Sequence, residues 1–192
     1  MDQQKMEEIL RKTQVLQEGH FLLTSGRHSR QYMQCARILE YPWHMEEVMS
    51  VIANQIKGQP IDLIVGPAMG GIIVAYELAR QLQVRNFFAE REEGKMTLRR
   101  GFTIPKGAKV IIAEDVITTG GSVQEVMDLV KEVGGEVVGV AVLVDRSNGN
   151  IDFGCPLYAA YTANIVSYEE RECPLCKEGK IDLIKPGSRK KI

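Results

Sequence analysis

Short apolar runs and helix-spaced apolar residues alternate along most of this chain. Ile61-Asp62-Leu63-Ile64-Val65, Asn86-Phe87-Phe88-Ala89, the run opening at Val110-Ile111-Ile112-Ala113, Glu136 to Val144, and Leu157 to Thr162 read as strands. Between them, apolar positions recur every three or four residues. Met45, Val48, Met49 and Ile52 mark a helix predicted from Pro42-Trp43 to about Ile56, a second covers Ile72 to Leu82, and Val123, Val126, Met127 and Val130 mark a third. Lys57-Gly58-Gln59-Pro60 closes the first and Gly134-Gly135 the last. This alternation predicts an α/β fold with a mostly parallel central sheet flanked by helices, its functional loops gathered at the carboxyl ends of the strands.

The flanks are less regular. Residues 1–17 read as a helix with Met6, Ile9, Leu10 and Thr13 on one side. A turn at Ser25-Gly26 separates two short predicted strands, the second continuing through Tyr32-Met33-Gln34-Cys35. Arg27, His28 and Arg30 cluster beside it; a solvated turn would account for them, and a small N-terminal hood over a ligand would use them. Glu90 to Gly101 is highly charged, without a core-forming period. It reads as a mobile loop returning through a short strand at Leu98 to Ile104, before a turn at Pro105-Lys106-Gly107. The organisation predicted is one domain over residues 1–192: a helix and hood to about residue 40, a core over about 43–165, and a tail over about 166–192.

Composition narrows the function classes. The chain has 192 residues, enough for one domain with a real core, and 44% hydrophobic against 26% charged residues is ordinary for a globular protein. A net charge of −1 offers no global field for nucleic acid, and the Arg189-Lys190-Lys191 tail reads as solvated. No apolar stretch is long enough to span a membrane. Met1-Asp2-Gln3-Gln4-Lys5 lacks the marks of a signal peptide, and four cysteines do not suggest a disulfide scaffold. A cytoplasmic enzyme is the expectation.

The chemistry concentrates in Val110 to Ser122. An apolar strand runs into Glu114-Asp115, then Val116-Ile117, then the small hydroxylated loop Thr118-Thr119-Gly120-Gly121-Ser122, then a helix. Backbone N–H groups in such a loop can wrap a phosphate, and the helix N-terminus behind it adds a favourable field. No lysine follows the glycines, so this is not a P-loop. Carboxylates beside an anion site must serve something other than the anion. Vicinal ribose hydroxyls, with or without Mg²⁺, fit best, so the implied ligand is a ribose 5-phosphate unit. Gly66-Pro67-Ala68-Met69-Gly70-Gly71 is a second strand–glycine–helix turn, weaker alone because such turns also serve packing.

Glu-Asp-Val-Ile-Thr-Thr-Gly-Gly-Ser at 114–122 resembles the phosphoribosyl-pyrophosphate (PRPP) motif of type I phosphoribosyltransferases. Leu-Thr-Ser-Gly-Arg-His-Ser near the N-terminus, Gly-Pro-Ala-Met-Gly-Gly, the Arg91/Lys95 loop and Val-Asp-Arg-Ser extend the resemblance to the orotate phosphoribosyltransferases over about residues 15–170. The Glu-Cys-Pro-Leu-Cys-Lys ending is similar to a bacterial and archaeal branch. The resemblance implies a type I phosphoribosyltransferase fold, orotate and PRPP as substrates, orotidine 5′-monophosphate and pyrophosphate as products, and a homodimer whose 90–101 loop closes over the neighbouring subunit's site. Glu114, Asp115, Val116, Ile117, Thr118, Thr119, Gly120, Gly121 and Ser122 would bind PRPP. Thr118 and Arg146 would bind orotate, Arg146 pairing its carboxylate.

Expulsion of pyrophosphate through an oxocarbenium-like ribose needs charge neutralised and water excluded. Mg²⁺ suits the pyrophosphate oxygens, held through PRPP rather than by dedicated protein ligands. Arg91 and Lys95 are expected to meet the departing pyrophosphate, with Lys95, Glu114 and Asp115 the catalytic candidates; Arg99 and Arg100 are weaker ones. The chain departs from the better-known branch, which has Lys where this chain has Thr24, Gly70 and Glu92, and His near Thr97. Arg27, His28, Arg30 and Arg99 are candidates to compensate. A purine phosphoribosyltransferase or a non-catalytic PRPP-binding regulator are the alternatives.

Cys173-Pro174-Leu175-Cys176 has the spacing of half a zinc site, but no second C-x₂-C or C-x₂-H occurs. Cys35, Cys155 and the three histidines could complete a site only by folding together, or a dimer could join two pairs. No protein-held metal is expected.

Overall fold

A computed structural model of the chain describes residues 1–186; the basic tail at 189–191 lies outside the described residues. In chain order the elements are α1 (Gln3–Lys12), β1 (Leu16–Leu22), β2 (His28–Met33), a 3₁₀ turn (Cys35–Glu40), α2 (Pro42–Ile56), β3 (Leu63–Pro67), α3 (Gly70–Leu82), β4 (Arg85–Glu92) and β5 (Lys95–Thr97). They continue as β6 (Lys109–Ile117), α4 (Gly121–Glu132), β7 (Glu136–Asp145), β8 (Leu157–Thr162), β9 (Ser167–Tyr168), a second 3₁₀ turn (Glu170–Glu172) and α5 (Pro174–Glu178). They form two units: Pro42–Ala163, and Asp2–Tyr41 joined with Asn164 onward.

The first unit carries a six-stranded sheet of order β5-β4-β3-β6-β7-β8, parallel except for the β4–β5 hairpin. The apolar runs are the cause. Val110, Ile111, Ile112 and Ala113 are all fully buried, which demands cover on both faces of β6. Alternation sends Leu63, Val65, Val110, Ile112, Val140 and Val142 into one cluster with Val123, Val126, Met127 and Val130 of α4. Helices α2 and α3 pack together, and α3 lies along β3, β4 and β6. β6 runs to Ile117 rather than stopping before the acids, so Glu114 and Asp115 sit within the strand.

The charged segment differs from the expected loop. β4 continues through Glu92, and Glu93-Gly94 turns it back with φ of 50° and 84°, the conformation a two-residue hairpin favours. Leu98 to Ile104 is not a strand. Its apolar residues instead fold against the core, Phe102 stacking on Phe87 at 4.8 Å between ring centroids.

In the second unit β1 and β2 form the expected antiparallel hairpin around Gly26, and β9 adds to the free edge of β2. On the other edge of β1, the Leu22 N–H donates to Ile184 O and the Ile184 N–H to His20 O, each at 2.8 Å. The helix over 1–17 ends at Lys12, because β1 claims the chain from Leu16. Met33 ends β2, and Cys35 opens the 3₁₀ turn instead of extending the strand.

The distant residues that the cysteine pair needs to complete a metal site are brought to it by the fold. His20, His28, Cys173 and Cys176 do fold together, their ligand atoms all within 4.8 Å of one another. Sequence spacing missed this because the two halves lie at opposite ends of the chain.

Candidate functional site

Parallel pairing brings the ends of β3, β6 and β7 to one edge of the sheet: Ile117 lies beside Asp145, whose main chain continues as Arg146 N–H donating to Ile117 O at 2.9 Å. There a cleft of about 270 Å³ opens, lined by Arg91, Glu114, Glu125 and the continuous run from Val116 to Val123. Val116, Ile117, Thr118, Thr119, Gly120, Gly121 and Ser122 are thus all cleft residues. Gly120 initiates α4 at φ 74°, and its Cα faces the Phe153 ring, where a Cβ would lie 2.9 Å from Cζ. The first turn of α4, whose N–H groups have no intrahelical partner, lines the cleft.

The acids occupy different positions. Glu114 is 8% exposed, and its Oε1 accepts the Asp115 N–H at 3.0 Å. Burial, then the neighbouring Asp115 charge, push Glu114 up to about 8. Burial raises Asp115 as well. The pair holds a proton near neutrality and is suited to hydroxyl donors or a cation shared with an anionic ligand. All-oxygen donors of this kind fit Mg²⁺ held mainly through a phosphorylated ligand. Asp115 does not line the cleft; its carboxylate lies against the α3 N-terminus, where a Cβ on Gly70 would sit 2.5 Å from Asp115 Cγ. Gly66 is equally confined, with a Cβ meeting the Gly71 carbonyl carbon at 2.5 Å.

The cations divide. Arg91 Nη2 donates to Glu125 Oε1 at 2.7 Å and Nη1 to Gly94 O at 2.9 Å, which ties the hairpin to α4 beside the cleft. Lys95 is exposed on the hairpin and is not among the cleft-lining residues. Arg99 meets Glu92 at 3.4 Å and Arg100 meets Glu90 at 3.1 Å. Arg146 is half-buried just past the end of β7, where buried Asp145 fixes the turn by accepting the Ser147 N–H at 2.7 Å. Of the proposed compensating cations, Arg27 is engaged by Glu169 and Ser167, and His28 faces Cys176. Glu125 is the charged cleft residue that sequence reading missed. Nothing in a helix's exposed polar positions distinguishes it until the hairpin is seen beside it.

Known proteins bear on this arrangement. The phosphoribosyl transferase domain family matches residues 37–152. The chain is 56% identical over 190 residues, 99% of its length and 100% of the relative's, to orotate phosphoribosyltransferase of Caldanaerobacter subterraneus subsp. tengcongensis. It is 55% identical, over 96% of each chain, to that of Caldicellulosiruptor bescii. A crystal structure of orotate phosphoribosyltransferase from Aeropyrum pernix superposes with a TM-score of 0.69 at 27% identity, over 82% of this chain and 93% of that one.

Proposed function

We infer the reaction from one premise: the chain belongs to the orotate phosphoribosyltransferase family of phosphoribosyl transferases. It transfers the 5-phosphoribosyl group of PRPP to orotate, giving orotidine 5′-monophosphate and pyrophosphate in pyrimidine nucleotide synthesis. The observation that carries this is the succession along one strand and loop: the adjacent acids Glu114 and Asp115, then a small-residue turn at a helix N-terminus, with Glu114 and the turn lining a single cleft.

The 5′-phosphate lies in the Thr118–Ser122 loop, taking backbone N–H groups and the α4 dipole. Glu114 and Asp115 hold the ribose hydroxyls, fixing the sugar while its C1′–O bond to pyrophosphate breaks and the C1′–N bond to orotate forms. Preorganised groups at the departing and arriving ends supply the stabilisation. Glu114 and Asp115 would help hold a Mg²⁺ carried in by PRPP, which when bound would supply charge neutralisation for the departing pyrophosphate. Arg146 pairs the orotate carboxylate and Thr118 donates a hydrogen bond beside it. Arg91, released from Glu125, and Lys95 meet the pyrophosphate.

Lys95 is exposed and outside its own chain's cleft, which supports delivery to the site of a second copy in a homodimer. Met69, Ile73 and Tyr76, spaced i, i+4 and i+7 at the start of and along α3, are 82%, 43% and 59% exposed, an apolar stripe suited to such an interface. No described helix is long and apolar enough to cross a membrane. A cytoplasmic setting follows from a phosphorylated substrate that does not cross lipid unaided.

The test is spectrophotometric. With PRPP and Mg²⁺, orotate absorbance should fall with stoichiometric release of pyrophosphate. Turnover with purine bases alone, or PRPP binding with turnover of no base, would overturn the assignment.

A further inference from the structure

Outside the cleft, the second unit gathers two buried histidines and two cysteines from both ends of the chain. His20 lies on β1 two residues before Leu22, whose cross-strand partner is His28, so the two rings share one face of the hairpin. Both are 3% exposed. Cys173 caps the N-terminus of α5 and is fully buried; Cys176 follows within the helix's first turn. No disulfide joins them.

The distances describe a coordination sphere. His20 Nε2 is 3.1 Å from His28 Nδ1, 3.5 Å from Cys173 Sγ and 3.6 Å from Cys176 Sγ; Cys176 Sγ is 3.2 Å from His28 Nδ1. A tetrahedron with ordinary zinc–nitrogen and zinc–sulfur bonds has N–N, N–S and S–S edges of about 3.3, 3.5 and 3.8 Å. These four edges match it to within a few tenths of an ångström, and the other two are no longer than 4.8 Å.

The surroundings point the same way. His20 Nδ1 lies 3.1 Å from Ile181 O. A carbonyl only accepts, so Nδ1 carries the hydrogen and the neutral ring presents a lone pair at Nε2, toward the cluster. A ligating histidine is commonly oriented by such a hydrogen bond from its other nitrogen. With two thiolates and two neutral imidazoles around a divalent ion, the net charge is zero, which suits a site whose ligand residues are buried except for the exposed Cys176. Two sulfurs and two nitrogens in tetrahedral array select zinc over magnesium or calcium.

We propose that His20, His28, Cys173 and Cys176 form a structural zinc site that fastens the tail to the N-terminal hairpin. All four protein positions are used, so no open position remains for substrate, and the role is structural. This site is independent of the acid pair and of any Mg²⁺ carried by PRPP.

The full chain, purified without chelator, should carry about one zinc per chain by elemental mass spectrometry. A mercurial that modifies the thiols should release it stoichiometrically to a metallochromic dye. Cobalt(II) exchanged into the chain should give the intense visible bands of a tetrahedral thiolate site, and Cys176→Ser should weaken them and cut retained zinc at least tenfold. Should Cys176→Ser fail to fold, His28→Ala and the wild-type mercurial release carry the test. Metal-free protein from zinc-supplemented medium, cobalt spectra of octahedral type, or a Cys173–Cys176 disulfide in protein isolated with thiols trapped would each overturn the proposal.

Discussion

The carboxylate of Asp115 fills the volume that a side chain at Gly70 would need, with Asp115 Cγ 2.5 Å from where a Cβ would stand. The second glycine turn is therefore the wall against which one of the two acids rests. A methyl group at 70 can be accommodated only by rotating that carboxylate. Gly70→Ala should lower kcat/KM by about tenfold or more while shifting Tm by no more than about 3 °C, since a side-chain tip moves rather than backbone. Gly66→Ala, whose new atom meets the Gly71 backbone, should instead destabilise by about 1–3 kcal/mol in urea unfolding. Equal effects on stability from the two would refute this distinction.

Glu114 makes ligand-free stability depend on pH. Its folded-state pKa of about 8 lies above that of an ordinary carboxylate, for burial first and the Asp115 charge second. Between the unfolded value and about 8 the folded chain keeps a proton that the unfolded chain has released. Stability from this group is thus lost as pH rises through that window, on the order of a few kcal/mol in all. Urea unfolding from pH 5 to 8 should show the decline, and Glu114→Gln should flatten it. Superimposable profiles would mean that Glu114 is charged and compensated in the folded chain.

Lys95→Ala should lower kcat by about 100-fold or more while changing PRPP affinity by less than about threefold, since the lysine meets charge that develops on departure. Delivery across a dimer has its own signature. Lys95→Ala and Asp115→Asn chains, each inactive alone, should recover roughly a quarter of wild-type activity when allowed to exchange subunits, one intact site in each mixed dimer. No recovery would place the lysine in its own chain's site.

Arg146→Ala should raise the orotate KM by about 10- to 100-fold, the worth of a charge-assisted hydrogen-bonded pair, with PRPP affinity preserved. Steady-state kinetics with either substrate varied would check it. An unchanged orotate KM would move the base site elsewhere.

Much of the core was legible because its signals are local. Val110 to Ala113 announces a strand covered on both faces, and Val123 to Val130 a helix with one apolar side. The acid pair and Thr118–Ser122 loop are contiguous, so their spacing survives folding intact. What escaped depends on partners far away in sequence. Lys95-Met96-Thr97 becomes a strand only because the Glu93-Gly94 turn returns it along β4. Ser167-Tyr168 is too short to show a period, and pairs only because β2 has a free edge. Glu125 matters through Arg91, and Cys173 through His20, relationships written in no local pattern. The expectation against a metal counted spacings along the chain, where the ones that gather His20, His28, Cys173 and Cys176 run across it.

Because Arg27 and Ser167 are 140 residues apart yet hydrogen-bonded at 2.8 Å, the β1–β2 hairpin must wait for a partner made long after it. The whole six-stranded sheet is synthesised in the interval. Nascent chains stalled before the tail should thus present a finished nucleotide-binding core with an unfinished N-terminal end. Removing the segment around Ser167 is, in effect, an alteration of the β1–β2 hairpin.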